Sequence, residues 1–326
     1  MSPLDNQLSP KDFSSNQEVR WCPGCGDYAI LKALQKVLSD IKAQPEKTVF
    51  VSGIGCSSRL PYYMSTYGFH TIHGRAPAIA SGIKIANPDL DVWIITGDGD
   101  GLSIGGNHLL HLMRRNINCQ LLLFNNEIYG LTKGQYSPTS RSGTTSPSTP
   151  LGSFESPVSP CRFALGAGAT FVARGIDTSI SKLMDTLKAG QKHRGTSFVE
   201  IFQNCIVYND DVFSNFTDRS KAKEKQLHLE NGKPMIFGTE NEKGLSIDTK
   251  SLSLKVVPSD DPSVLVHDCS NYTIATLLAN MDESLFPIAL GILYSVDSPI
   301  FEEKITTDNI EKDINSLMRL GQTWNV

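Results

Sequence analysis

The chain has 326 residues, of which 40% are hydrophobic and 20% charged, and is long enough for a large core or for one core with a smaller appendage. A formal net charge of −4 gives no basic field to hold a nucleic acid, and no apolar run reaches the length of a membrane span. Residues 1–17 are polar with no apolar signal core, so the chain reads as cytoplasmic, and an odd set of irregularly spaced cysteines points to metal ligation or redox chemistry rather than a disulfide framework.

After a glycine turn, Ile30, Leu31, Leu34, Val37, Leu38 and Ile41 recur at helical spacing and predict a one-sided helix over 28–41. Thr48 to Ser52 (TVFVS) then reads as a buried strand. A helix over 78–86 and an apolar, β-branched strand over 92–96 (VWIIT) repeat the pattern. Leu109, Leu110, Leu112 and Met113 mark the next helix, and Gln120 to Phe124 the next strand, which runs into Asn125 and Asn126. Segments 169–173, 180–189 and 197–202 add a strand, a helix and a strand. This alternation implies parallel strands joined by crossover helices.

Residues 135–160 are rich in Ser, Thr, Pro and Gly and hold too little apolar material for a core element, so they predict a long loop. Beyond Phe216 the alternation fades. The chain divides into a domain over 1–217 and a C-terminal extension over 218–326, with no internal repeat.

Two strand ends carry a pattern that suits a hard cation. Gly97-Asp98-Gly99-Asp100-Gly101 follows one apolar strand, and Asn125-Asn126 ends its successor. In a parallel sheet ligands bind at the carboxyl ends of strands, so an Asp and an Asn from adjacent ends can share one Mg²⁺ and leave room for diphosphate oxygens. The glycines admit phosphate close to the backbone, and a helix beginning near Gly101 directs its positive end at that anion. An isolated GDG would be only a strand-ending turn; the downstream Asn pair argues for the cation.

Cys22 and Cys25 form a CxxC pair (WCPGCGD), which offers two thiolates where zinc and cluster sites need four. Cys56 (GIGCSS) and Cys205 follow two of the strands and reach the same sheet edge. Ligand count does not separate a zinc ion from an iron–sulfur cubane there. Cys119, Cys161 and Cys269 lie outside any such pattern and read as buried, inert thiols.

GDG with a downstream double Asn resembles the thiamine diphosphate motif, and WCPGCGD, GIGCSS and GDGDG together closely resemble the β subunits of 2-oxoacid:ferredoxin oxidoreductases, over about residues 20–217. The resemblance implies a parallel-sheet α/β thiamine-diphosphate-binding fold. It makes Asp98, Asn126 and the backbone of Ile128 the Mg²⁺ ligands, and Gly99, Asp100, Gly130, Leu131 and Thr132 neighbours of the diphosphate. It makes Cys22, Cys25, Cys56 and Cys205 the ligands of one [4Fe-4S] cluster. Ile54, Gly55, Cys56 and Ser57, with His73, Gly74 and Arg75 of HTIHGR, look like contacts to the cofactor or substrate.

A Glu that activates the aminopyrimidine ring is not matched by any motif here, and the resemblance places it on a separate α subunit, in a heterodimer or a dimer of heterodimers. Ferredoxin would take the electrons and coenzyme A the acyl group. Lys133 follows the Mg²⁺ loop, where a cation can pair with the distal carboxylate of 2-oxoglutarate, a group that pyruvate lacks. LTKGQxSPT also looks more like the 2-oxoglutarate members. The first expectation is therefore a 2-oxoglutarate:ferredoxin oxidoreductase, with Lys133 and Arg75 toward substrate, and the second a pyruvate or broad-specificity member. Two other classes stand beside it: a non-redox thiamine enzyme, and a zinc-stabilised binding module without catalysis.

Overall fold

The computed structural model describes residues 8–307; residues 1–7 and 308–326, which carry part of the polar N-terminal stretch and of the C-terminal extension, lie outside them. The helices are α1 Asp27–Asp40, α2 Ala76–Ala86, α3 Asp98–Leu102, α4 Gly106–Arg115, α5 Pro160–Gly166, α6 Ile180–Lys192, α7 Ser214–Thr217, α8 Ala222–Lys225, α9 Tyr272–Ala279 and α10 Phe301–Thr307. The strands are β1 Thr48–Ser52, β2 Tyr67–His70, β3 Asp91–Gly97, β4 Cys119–Asn125, β5 Phe171–Ile176, β6 Thr196–Phe202, β7 Gln226–His228, β8 Ile236–Phe237, β9 Lys243–Asp248, β10 Ser253–Pro258 and β11 Ile288–Ser295.

Among the described residues, eight strands form one sheet in the order β2-β1-β3-β4-β6-β5-β11-β7. The first six run parallel. β1, β4, β5 and β6 are buried along their whole length. That is why they read as unbroken apolar runs rather than alternating ones: helices cover both faces.

Alternate residues of each strand feed two different cores. Val49, Val51, Val92, Ile94, Leu121 and Leu123 pack with Ala76 and Ala80 of α2, Leu109, Leu112 and Met113 of α4, and Leu278 of α9. Phe50, Trp93, Ile95, Leu122 and Phe124 point the other way, onto the stripe Ile30, Leu31, Leu34, Val37 and Leu38 of α1 and onto Leu183 and Leu187 of α6. The expected alternation and parallel core are thus the observed ones.

Three details differ from expectation. The helix expected near Gly101 begins at Asp98, so the GDGDG segment is itself the first turn of α3 rather than a lead-in to it. The strand expected over 169–173 lies at Phe171–Ile176, because Ala169 still closes the end of α5, its N–H donating to the Ala164 carbonyl. β2 was not foreseen, and all four of its residues are exposed at the sheet edge.

Residues after 217 supply β7 and β11 to the main sheet, β11 antiparallel to β5 and β7 parallel to β11. They also build a small antiparallel sheet, β10-β9-β8. Residues 126–159 contain no helix or strand; the loop expected over 135–160 lies within them except for Pro160, which opens α5.

Because β1, β3, β4 and β6 are parallel neighbours, their carboxyl ends share one edge. The residues that follow them, 53–57, 98–101, 126–132 and 203–205, collect there. β1 lies between β2 and β3, so the winding of the chain reverses beside it, the position where α/β sheets open a ligand crevice.

Candidate cofactor and metal site

A cavity of about 610 Å³ opens at this edge, within the range of small-molecule and cofactor sites. Its walls include Ile54, Gly55, Cys56 and Ser57 from the loop after β1, Asp98, Gly99 and Asp100 from α3, and Asn126, Ile128, Gly130, Leu131 and Thr132 from the loop after β4, with His73 beside them. Gly74 and Arg75 are not among the lining residues, and neither is Lys133, which is exposed next to Thr132. Tyr129, Phe124, Gly97 and Gln135 line the cavity too and were not foreseen.

Asp100 organises one wall. Its Oδ1 accepts from the backbone N–H of Ile54 at 3.0 Å and of Gly74 at 2.7 Å, and lies 2.7 Å from His73 Nδ1; its Oδ2 accepts from Thr96 Oγ1 at 2.6 Å. A carboxylate only accepts, so His73 carries a proton on Nδ1, and in the neutral ring Nε2 is the acceptor. Gly53 makes this approach possible, since a β-carbon there would lie 2.0 Å from Asp100 Oδ2. Asp100 and Gly74 therefore shape the wall, and Arg75 holds it from behind through Nη1 to the His73 carbonyl at 3.1 Å.

Asp98 is 2% exposed, and its Oδ2 accepts from Ser137 Oγ at 2.5 Å and Thr139 Oγ1 at 2.6 Å. Burial pushes its carboxyl up to about 6, against the lowering effect of those two hydroxyls. Asn126 is held by both ends of its amide: Oδ1 accepts from the Ile128 N–H at 3.2 Å, and Nδ2 donates to Gln203 Oε1 at 2.8 Å. Between them Glu127 takes a left-handed φ of 55°. A carboxylate, an amide oxygen and a backbone carbonyl on the wall of one cavity form a hard donor set that fits Mg²⁺, and a divalent cation would offset the cost that burial imposes on ionised Asp98.

The long loop closes over this set. Ser140 Oγ donates to the Glu127 carbonyl at 2.5 Å, Arg141 Nε lies 3.2 Å from Glu127 Oε2, and Thr139 Oγ1 also reaches Asn125 Oδ1 at 2.9 Å. Asn125 in turn donates from Nδ2 to the buried Glu200 at 2.8 Å. Gly99 lets Tyr129 approach: a β-carbon there would stand 2.3 Å from the ring, whose hydroxyl donates to the Gly99 carbonyl at 2.9 Å. That bond joins α3 to the loop after β4.

The thiols converge on the same edge. Cys22 to Cys25 is a turn closed by the Cys25 N–H on the Cys22 carbonyl at 3.0 Å, with Pro23 and a left-handed Gly24 in the places a type II turn demands. Gly26 N–H donates to the Asn204 carbonyl at 3.2 Å, which ties this turn to the segment carrying Cys205. A β-carbon placed on Gly130 would lie 3.5 Å from Cys205 Sγ and 3.8 Å from Cys56 Sγ. Burial raises the Cys25 thiol well above its ordinary range, with Asp27 and then Cys56 and Cys205 adding to it. Burial likewise pushes Cys56 up to about 12, helped by Asp27, Cys205 and Cys22. Thiolates that oppose one another's ionisation in this way suit a cationic centre among them. Among the described residues, no group of three or more His, Cys, Asp or Glu side chains is closed tightly enough to hold a metal ion. Of the remaining cysteines, Cys119 and Cys161 are buried as expected, whereas Cys269 is only half-buried.

Residues 53–201 match the family described as thiamine pyrophosphate enzyme, C-terminal TPP binding domain. The chain is 47% identical to the 2-oxoglutarate oxidoreductase subunit KorB of Mycobacterium tuberculosis, over 99% of this chain and 90% of that protein. It is 46% identical to the β subunit of 2-oxoacid:ferredoxin oxidoreductase 1 of Aeropyrum pernix, over 60% of this chain and 62% of that one. Among solved structures it is similar to a 2-oxoglutarate:ferredoxin oxidoreductase from Magnetococcus marinus with 2-oxoglutarate, coenzyme A and succinyl-CoA bound, at a TM-score of 0.78 and 32% identity, covering 99% of this chain and 98% of the other. The expected thiamine-diphosphate-binding fold is therefore the fold of the chain.

Proposed function

Because the chain belongs to the β subunits of the 2-oxoacid:ferredoxin oxidoreductases, we propose that it binds thiamine diphosphate through Mg²⁺, carries one [4Fe-4S] cluster, and works with an α subunit on 2-oxoglutarate. The reaction takes 2-oxoglutarate, coenzyme A and oxidised ferredoxin to succinyl-CoA, CO₂ and reduced ferredoxin, or runs in reverse. The observation that carries the reading is the convergence of Asp98, Asn126, Cys56 and Cys205, each from the end of a different parallel strand or the loop after it, on one edge of the sheet.

When bound, thiamine diphosphate supplies the electron sink that loss of CO₂ requires, and the cluster a one-electron acceptor beside it. The chain's own residues do the holding. Asp98, Asn126 and the Ile128 carbonyl would hold Mg²⁺. Gly99, Asp100, Gly130, Leu131 and Thr132 would border the diphosphate, while Ser137 and Thr139 keep the Asp98 carboxylate in place. Cys22, Cys25, Cys56 and Cys205 would hold the cluster, and His73, fixed by Asp100, presents Nε2 as an acceptor. Burial of Asp98 would keep water from competing at the metal.

None of the residues lining the cavity among those described is a glutamate, which supports an α subunit as the source of the ring-activating acid. Leu131, Ile104 and Ile72 are exposed large apolar side chains on or near that side and suit cover by a partner. Lys133 stands at the outer end of the Thr132 loop, where its ammonium can meet the distal carboxylate of a dicarboxylic 2-oxoacid. Anaerobic turnover of the assembled α and β chains with a panel of 2-oxoacids, coenzyme A and a viologen acceptor tests the reading. Preference for 2-oxoglutarate is expected; preference for pyruvate would replace the substrate assignment, and no 2-oxoacid-dependent reduction would remove the activity.

A further inference from the structure

Gln203 is 1% exposed and lies at the end of β6, between the two halves of the site. Its Oε1 accepts from Asn126 Nδ2 at 2.8 Å, and its Nε2 donates to Cys25 Sγ at 3.3 Å and to the Asn204 carbonyl at 2.5 Å. One side chain thus touches a candidate Mg²⁺ ligand and a candidate cluster ligand from opposite ends of its amide. Reversing the amide would set its oxygen against the Asn204 carbonyl and its nitrogen against the Asn126 nitrogen, so this orientation is enforced.

We propose that Gln203 is a positioning residue that fixes the amide of Asn126 for the metal and, through its N–H on Cys25, raises the reduction potential of the cluster. The inference rests on the cluster and Mg²⁺ assignments proposed above. A reduced cluster carries one more negative charge, shared with its cysteine sulfurs, and a donor aimed at such a sulfur stabilises the reduced form more than the oxidised one. On the other side, Asn126 has one amide hydrogen bond to the Ile128 N–H and one to Gln203. Loss of the second leaves its plane to be set by the first alone. The bland alternative is a buried glutamine that merely satisfies its own polar atoms, and such a residue would not move a potential.

Two variants separate the two ends of the amide. Gln203→Met removes donor and acceptor without adding charge, and Gln203→Glu removes the donor while keeping an oxygen for Asn126. Both are made in the assembled enzyme, purified anaerobically, and measured for iron and sulfide, for the cluster midpoint by a redox titration followed by electron paramagnetic resonance, and for thiamine diphosphate affinity at limiting Mg²⁺. The expected result is native iron in both, with the midpoint shifted negative in both by about a tenfold change in the reduction equilibrium, or about 59 mV for one electron. Cofactor affinity should fall in Gln203→Met and stay within about twofold of wild type in Gln203→Glu, the ratio expected when a single hydrogen bond is kept. An unmoved midpoint in Gln203→Met with iron retained overturns the link, as does loss of iron from both variants, which marks a purely structural residue. An iron-free wild-type enzyme would instead overturn the cluster assignment, and this inference with it.

Discussion

Thr139 Oγ1 lies 2.6 Å from Asp98 Oδ2, so a hydroxyl from the long loop caps the carboxylate at the end of β3, 41 residues back along the chain. The same hydroxyl is 2.9 Å from Asn125 Oδ1, and the loop therefore braces both strand ends that meet at the candidate metal site.

Thr139→Val keeps the shape and removes the hydroxyl. A hydrogen bond to a charged group contributes about 1.5–3 kcal/mol, so Mg²⁺-dependent thiamine diphosphate binding should weaken by about tenfold or more. Isothermal titration at limiting Mg²⁺ reads this directly. Affinity equal to wild type would show that the loop closes over the site without holding Asp98 in place.

Cys22 is exposed and Cys205 half-buried, so Cys22→Ala and Cys205→Ala remove thiols without opening the core. Each should lose the cluster's visible absorption and most of its iron while far-ultraviolet circular dichroism stays native. Native iron and sulfide in both variants would sink the ligand assignment.

Lys133 has a φ of 76°, a left-handed conformation that Asn tolerates better than Ala. Lys133→Asn thus removes the charge with the least disturbance of the loop. If its ammonium meets the distal carboxylate of 2-oxoglutarate, kcat/KM for that substrate falls about tenfold to a hundredfold, the equivalent of ~1.5–3 kcal/mol, while that for pyruvate holds or rises. Equal losses on both substrates would make Lys133 a cofactor-loop residue instead.

Two histidines away from the site, half-buried His193 and buried His267, weaken the fold in acid. Burial lowers His193 and His267 below the ordinary 6.5; it outweighs the charge of Asp297 at His193, and at His267 the hydrogen bond to the Ile292 carbonyl and the charge of Asp268. Their folded pKa values lie below the unfolded one, so the unfolded chain binds more protons in that window. The histidine contribution to stability holds near neutrality and falls as pH drops through and below 6.5, while the raised Asp98 carboxyl contributes the opposite slope. The difference in thermal unfolding between wild type and His193→Gln, from about pH 7.5 to 5.5, reads the histidine part alone, and the variant should lose less stability toward acid than wild type.

The four central strands were legible because helices bury them on both faces, which leaves unbroken apolar runs such as TVFVS and VWIIT. Their carboxyl ends placed Asp98, the Asn125-Asn126 pair, Cys56 and Cys205 at one sheet edge, and the resemblance supplied their roles. β2 was illegible for the opposite reason, since Tyr67, Gly68, Phe69 and His70 are all exposed and bury nothing that leaves a pattern. Ser137, Thr139 and Ser140 act through hydroxyls on partners far away in sequence, and polar residues in a loop carry no period. Their only sequence signal was a run of small hydroxyl residues close behind the Mg²⁺ loop. Gln203 stood two places before Cys205, close enough to have been weighed with it. The strand β11 escaped because its partner β5 lies more than a hundred residues earlier.

The antiparallel pairing of β11 with β5 has a consequence for biosynthesis. Until residues 288–295 leave the ribosome, β5 is the bare margin of a sheet whose other strands can already have assembled, with Ala173 and its neighbours offering unpaired backbone groups to any passing chain. The last third of the protein thus acts as a seal on that margin. Nascent chains stalled or cleaved before Ile288 should aggregate in an edge-to-edge manner, and a chaperone that shields β strands would matter most during the interval between β6 and β11.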